Sequence, residues 1–158
     1  AEKGDLLRLL LLNKYGGTWV DASLYPMLPL DDFISDILND VGFFTYRFMN
    51  RLDRRETVSW FLVANSPNQY LIKTWLDAFV GEFINSPVDW NTGKVGDEVI
   101  DPDMYFEVHA SLTRLYDTDV KIKYVIDNMV QISESIPHSA QGSWKNRQDS
   151  FMYKRPKL

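Results

Sequence analysis

Two adjacent glycines, Gly16 and Gly17, divide the start of the chain into segments that obey different periodicities. Before them, residues 5–14 are strong helix formers, apolar on nearly every side apart from Asp5 and Arg8, and glycine ends a helix readily because it adopts left-handed backbone angles at little steric cost. A helix apolar all round is ordinarily buried, so this one is predicted to lie inside the fold. After the glycines the period becomes two. Trp19, Asp21, Ser23 and Tyr25 share one face and Val20, Ala22 and Leu24 the other, which predicts a strand over Thr18–Tyr25, ended by Pro26 and Pro29.

Downstream, Asp31 or Asp32 is placed to cap a short helix reaching Leu38, and the aromatic run Gly42–Phe48 reads as a second strand. Residues 50–56 are charged and read as a turn. Arg47, Arg51, Arg54 and Arg55 are interspersed there with Asp53 and Glu56, the pattern of a solvated hairpin rather than of a binding patch. Thr57–Ala64 is a third strand. Ser66-Pro67-Asn68-Gln69 predicts a helix capped by Ser66, with Pro67 in its first position and Leu71, Ile72, Trp75, Leu76, Phe79 and Phe83 on one stripe. Residues 85–100 have loop composition. Asp101-Pro102 opens a further helix whose apolar stripe includes Tyr105, Phe106, His109 and Leu112, a setting that reads His109 as a satisfied core histidine. Another helix covers Val120–Met129. Residues 145–158 form a basic tail without periodicity. A chain of 158 residues, 45% apolar, can bury one core, so the expectation is an α/β layer fold with one domain over 1–144 and the tail beyond it.

Seventeen basic against 22 acidic residues give a net charge of −5, which offers no global attraction to nucleic acid. Without cysteine there is no disulfide framework and no thiolate metal site. The run Leu6–Leu12 is interrupted by Arg8 and falls well short of the roughly 20 apolar residues that span a bilayer. No signal peptide is visible. The chain opens Ala1-Glu2-Lys3-Gly4 and enters a leucine-rich segment at once, from which a fragment of a longer protein is expected.

The residues that carry chemistry lie on either side of the glycine pair. Asp5 and Arg8, three apart on a helix, project from one face. A charged pair in an apolar helix must be matched internally or aimed at a polar ligand, and both readings stand at this point. Asp21 sits at the polar face of a hydrophobic strand, two residues before Ser23, where it can meet a metal or a ribose or simply cap a turn. Near the end, His138 precedes Ser143-Trp144; alone, His138 is a loop histidine.

Taken together, Asp5-x-x-Arg8 and Gly16-Gly17-Thr18-Trp19-Val20-Asp21-Ala22-Ser23 resemble the DXD-motif sugar transferases. They are closer still to the capsular polysaccharide synthesis family, whose motif tends to read Trp-Ile-Asp-Ala-Thr. The likeness covers residues 4–34, and more loosely Val58–Phe61, Tyr105–His109 and His138–Trp144. It implies a GT-A-like mixed sheet flanked by helices, its N-terminal nucleotide-binding part missing, and transfer of a sugar from a nucleoside diphosphate sugar, UDP-linked by first expectation, to a glycan or other hydroxyl acceptor with retention. By the same resemblance Asp5 and Arg8 contact the donor, Asp21 binds ribose or sugar and helps to place Mn²⁺ or Mg²⁺, and Asp21 and Arg8 are the catalytic pair, Arg8 stabilising charge on the departing diphosphate. Ser23 occupies the second acidic position as a weaker metal ligand, and Ser59 stands where relatives often carry Asn. His138 completes the metal site, and Trp144 donates to a phosphate oxygen. The expected setting is cytoplasmic, at the inner face of a membrane, with peripheral association and a Golgi-type lumen left open. Weak or no activity is expected of the isolated piece. A phosphoryl-transfer enzyme of the haloacid dehalogenase kind is disfavoured, because Ser23 replaces the acid it needs. A non-catalytic glycan- or partner-binding module derived from a transferase remains the rival.

Overall fold

The computed structural model of the protein describes residues 2–48, 57–85, 94–95, 98–99, 107–135 and 152–154. Helix α1 (Glu2–Tyr15) leads through the glycine pair into strand β1 (Gly17–Val20), followed by β2 (Leu24–Pro26), the short helix α2 (Ile34–Ile37), β3 (Phe43–Arg47) and β4 (Thr57–Ala64). Helix α3 (Tyr70–Asn85), the strands β5 (Lys94–Val95) and β6 (Glu98–Val99), helices α4 (Glu107–Thr118) and α5 (Val120–Asn128), and strand β7 (Met152–Lys154) complete the order.

β4 is the centre of a three-stranded sheet, β1-β4-β3, antiparallel throughout. The architecture is therefore a mixture of α and β, but the described sheet is antiparallel where a mixed sheet was expected. Both faces of β4 are covered. On one side Leu9 and Leu12 of α1 join Phe43, Leu62 and Ala64 with residues of α3, α4 and α5, while on the other Leu24, Phe33 and Ile37 pack on Phe44, Tyr46, Trp60 and Phe61. Strict alternation would send Trp60 and Phe61 to opposite faces, yet both lie in the second cluster. The irregularity is a bulge: the β3–β4 register shifts between Thr45 and Arg47. Thr45 Oγ1 then serves the carbonyls of Val58 and Phe61, at 3.0 and 2.8 Å. Thr57 and Ser59, alternating with Val58 and Trp60, face the helical side.

Several expectations are corrected. The strand predicted over Thr18–Tyr25 is two strands: β1 stops at Val20, the amide of Leu24 donates to the Asp21 carbonyl, and β2 pairs instead with β7. Part of the basic tail is thus strand, and residues 94–99 include a two-stranded ladder, short pairings that carry no readable periodicity. Helix α1 is buried on one face only. Leu7, Leu10 and Leu11 remain 49%, 46% and 39% exposed, because sheet and helices cover it from one side. Neither Asp31 nor Asp32 caps a helix through its side chain; Pro29 and Phe33 hold the cap positions. Nor does Ser66 cap α3, for the chain turns through Asn68 in a left-handed conformation and the Gln69 side chain accepts from the amide of Ile72 at 3.1 Å. Among the described residues no helix is long and apolar enough to cross a membrane.

Gly16 is where the sequence reading and the geometry meet. Its amide donates to the Leu12 carbonyl, its φ is +66°, and a Cβ there would come within 2.8 Å of the Ser66 backbone. A side chain is excluded by conformation and by space together.

Helix α5 is capped by Asp119, which accepts from the amides of Lys121 and Ile122 and from the Tyr70 hydroxyl at 2.8 Å. That hydroxyl, aided by the two amides against a contrary effect of burial, holds the Asp119 carboxyl below its ordinary value. A depressed folded-state value stabilises the fold above the unfolded carboxyl's titration, about pH 4, and the gain is lost as pH falls through the folded one. Asp119→Ala is expected to cost about 1 kcal/mol at neutral pH. Urea melts repeated at decreasing pH should show that difference shrinking; a constant gap down to strongly acid pH would remove the carboxylate's role.

Candidate functional site

Arg8 leaves the buried face of α1 and meets three partners. Its Nη1 lies 2.7 Å from Asp5 Oδ1 and donates to the Ser59 carbonyl at 2.9 Å, while Nη2 is 3.4 Å from Asp21 Oδ1. Helical spacing brings Asp5 to it, and the bulged β4 leaves the Ser59 carbonyl available. Asp21 follows the last residue of β1, where its amide still donates to the Trp60 carbonyl. Trp19, two residues earlier on the same face, donates from Nε1 to Asp21 Oδ1 at 2.8 Å, and its ring lies 5.5 Å from the Arg8 guanidinium carbon. The Asp5 and Arg8 side chains are only 9% and 10% exposed, against 30% for Asp21. The cluster is therefore closed at its α1 end and opens to solvent at Asp21.

A second arm reaches the same strand from α4. Fully buried Trp75 of α3 donates its indole N–H to the Val108 carbonyl and the Ser111 hydroxyl, at 2.9 and 3.0 Å, which fixes the rotation of α4. His109 then turns towards β4, with Nδ1 2.9 Å from the Thr57 carbonyl and Nε2 3.4 Å from Ser59 Oγ. Ser59 thus joins the two arms, by its carbonyl to Arg8 and by its hydroxyl to His109. Two buried polar atoms of this network, Arg8 Nε and Thr57 Oγ1, have no hydrogen-bond partner among the described residues. Unmatched buried groups cost about 1–3 kcal/mol each.

Of the residues singled out from sequence, Asp5, Arg8, Asp21 and Ser59 come together. Ser23 follows in the turn after Asp21, half-buried, and makes no hydrogen bond with the described residues. His138 and Trp144 lie outside the described residues. Trp19 is the member that sequence reasoning passed over, although the period-two face it shares with Asp21 and Ser23 carried the signal. His109, read as a satisfied core histidine, is satisfied as expected, by Thr57 and Ser59 of β4.

No group of three or more His, Cys, Asp or Glu that could hold a metal ion occurs among the described residues. Asp21 Oδ1 is occupied by Arg8 and Trp19, whereas no described residue engages Oδ2. With the Ser23 hydroxyl, this suits Mg²⁺ or Mn²⁺ only as a one- or two-point anchor for an ion completed by substrate phosphates and water, a usual arrangement for Mg²⁺.

The family model described as capsular polysaccharide synthesis protein matches residues 1–157. The chain belongs to the capsular polysaccharide synthesis family. No curated protein and no solved structure matches it. Family membership points to a role in polysaccharide biosynthesis, and the match takes in every residue of the cluster, from Asp5 to His109. Within this family member the polar network takes Asp5, Arg8, Trp19 and Asp21 from the segment around the glycine pair, and Ser59 and His109 from β4 and α4.

Proposed function

We propose that the protein is a glycosyltransferase of GT-A type that moves a sugar from a nucleoside diphosphate sugar to a hydroxyl of a growing polysaccharide. The observation that carries this reading is the junction of Asp5, Arg8, Asp21 and Trp19 in a buried network that opens at one carboxylate, within a chain of the capsular polysaccharide synthesis family. Asp21 is the group that meets the donor. Arg8 is a positioning residue, because two carboxylates and a carbonyl already occupy its terminal nitrogens. Asp5 sets Arg8 from behind, and Trp19 fixes which oxygen of Asp21 is turned inward. Ser59 lines the sugar-binding side, and Trp144 and His138 act on the diphosphate.

In the retaining reaction the bond between the anomeric carbon and the diphosphate oxygen breaks, and the acceptor oxygen bonds to the same face of that carbon. The acceptor's proton passes to the departing diphosphate. A divalent cation, when bound, would draw charge from that leaving group. Asp21 and Ser23, with His138, are the residues assigned to hold it. The fixed carboxylate of Asp21 orients the sugar and spares the transition state the reorganisation that water would need.

Calorimetric titration of the full-length protein with UDP-glucose, with and without Mn²⁺, tests the reading against a non-catalytic module. Donor binding strengthened by Mn²⁺, followed by slow hydrolysis, is the expected result. Heats indistinguishable from dilution across a series of nucleoside diphosphate sugars would favour the module.

A further inference from the structure

We draw no further inference here: the strongest candidate, the apolar outer face of α1 formed by Leu7, Leu10, Leu11 and Tyr15 beside the edge strand β1, carries no proposal, because nothing in the structure shows what covers it.

Discussion

Arg8→Met is expected to destabilise the protein by about 3–5 kcal/mol, the usual consequence of removing one partner of a buried ion pair. Asp5 is the other partner. Its side chain is 9% exposed and its oxygen sits 2.7 Å from Arg8 Nη1. The Ser59 carbonyl would lose its donor in the same step. Removing both charges should be milder, because desolvation of a buried ion pair offsets most of its Coulombic attraction. Asp5→Leu combined with Arg8→Met is therefore expected to recover most of the stability lost by the single change. Donor hydrolysis should not recover with it, since Asp21 would still lack the cation that fixes its position. Denaturant melts and donor turnover on the three proteins separate the two roles. Should the double variant regain both stability and turnover, the pair would be a structural ion pair orienting α1 and nothing more.

How far the site could be read in advance depended on the range over which each residue acts. Asp5 and Arg8 are joined by helical spacing, and the glycine pair announced the end of that helix, so this part was legible from neighbours in the chain. The alternation of Trp19 with Asp21 was legible too, although the strand that carried it proved to end one residue before the aspartate. What could not be read was the bulge in β4. No local signal in Val58-Ser59-Trp60-Phe61 says that two consecutive aromatic residues will share a face, yet this irregularity frees the Ser59 carbonyl for Arg8 and aims the Ser59 hydroxyl at α4. His109 was legible as a satisfied histidine, but its partners were hidden for a related reason. Its contacts with Thr57 and Ser59 join residues about fifty positions apart, and its own helix looks like an ordinary core stripe. The cap of α3 failed differently: Ser66 and Gln69 both had capping chemistry, and the left-handed turn at Asn68 gave the position to the glutamine.

Asp21→Asn is expected to lower donor hydrolysis on the order of a hundredfold or more, comparable with removing one fixed electrostatic group from a preorganised site. The substitution keeps an oxygen to accept from Trp19 Nε1 and removes the charge, so geometry is nearly conserved. Stability should change by less than about 1 kcal/mol, because the Asp21 carboxylate is 30% exposed and its distance to Arg8, 3.4 Å, is long. A large loss of turnover with a small loss of stability is the signature of a group that meets the donor. Trp19→Phe asks the complementary question. It keeps a ring near the Arg8 guanidinium but removes the 2.8 Å bond to Asp21, so the carboxylate can rotate. Because a hydrogen bond to a charged group is worth about 1.5–3 kcal/mol and this one is partly solvated, turnover should fall about tenfold. If Trp19 positions the carboxylate, the loss should lie in kcat more than in KM, and it should disappear in the Asp21→Asn background, where there is no charge left to aim. Equal and additive losses in the two backgrounds would mean that Trp19 serves packing alone, and turnover undiminished in Asp21→Asn would end the assignment of this carboxylate to the donor.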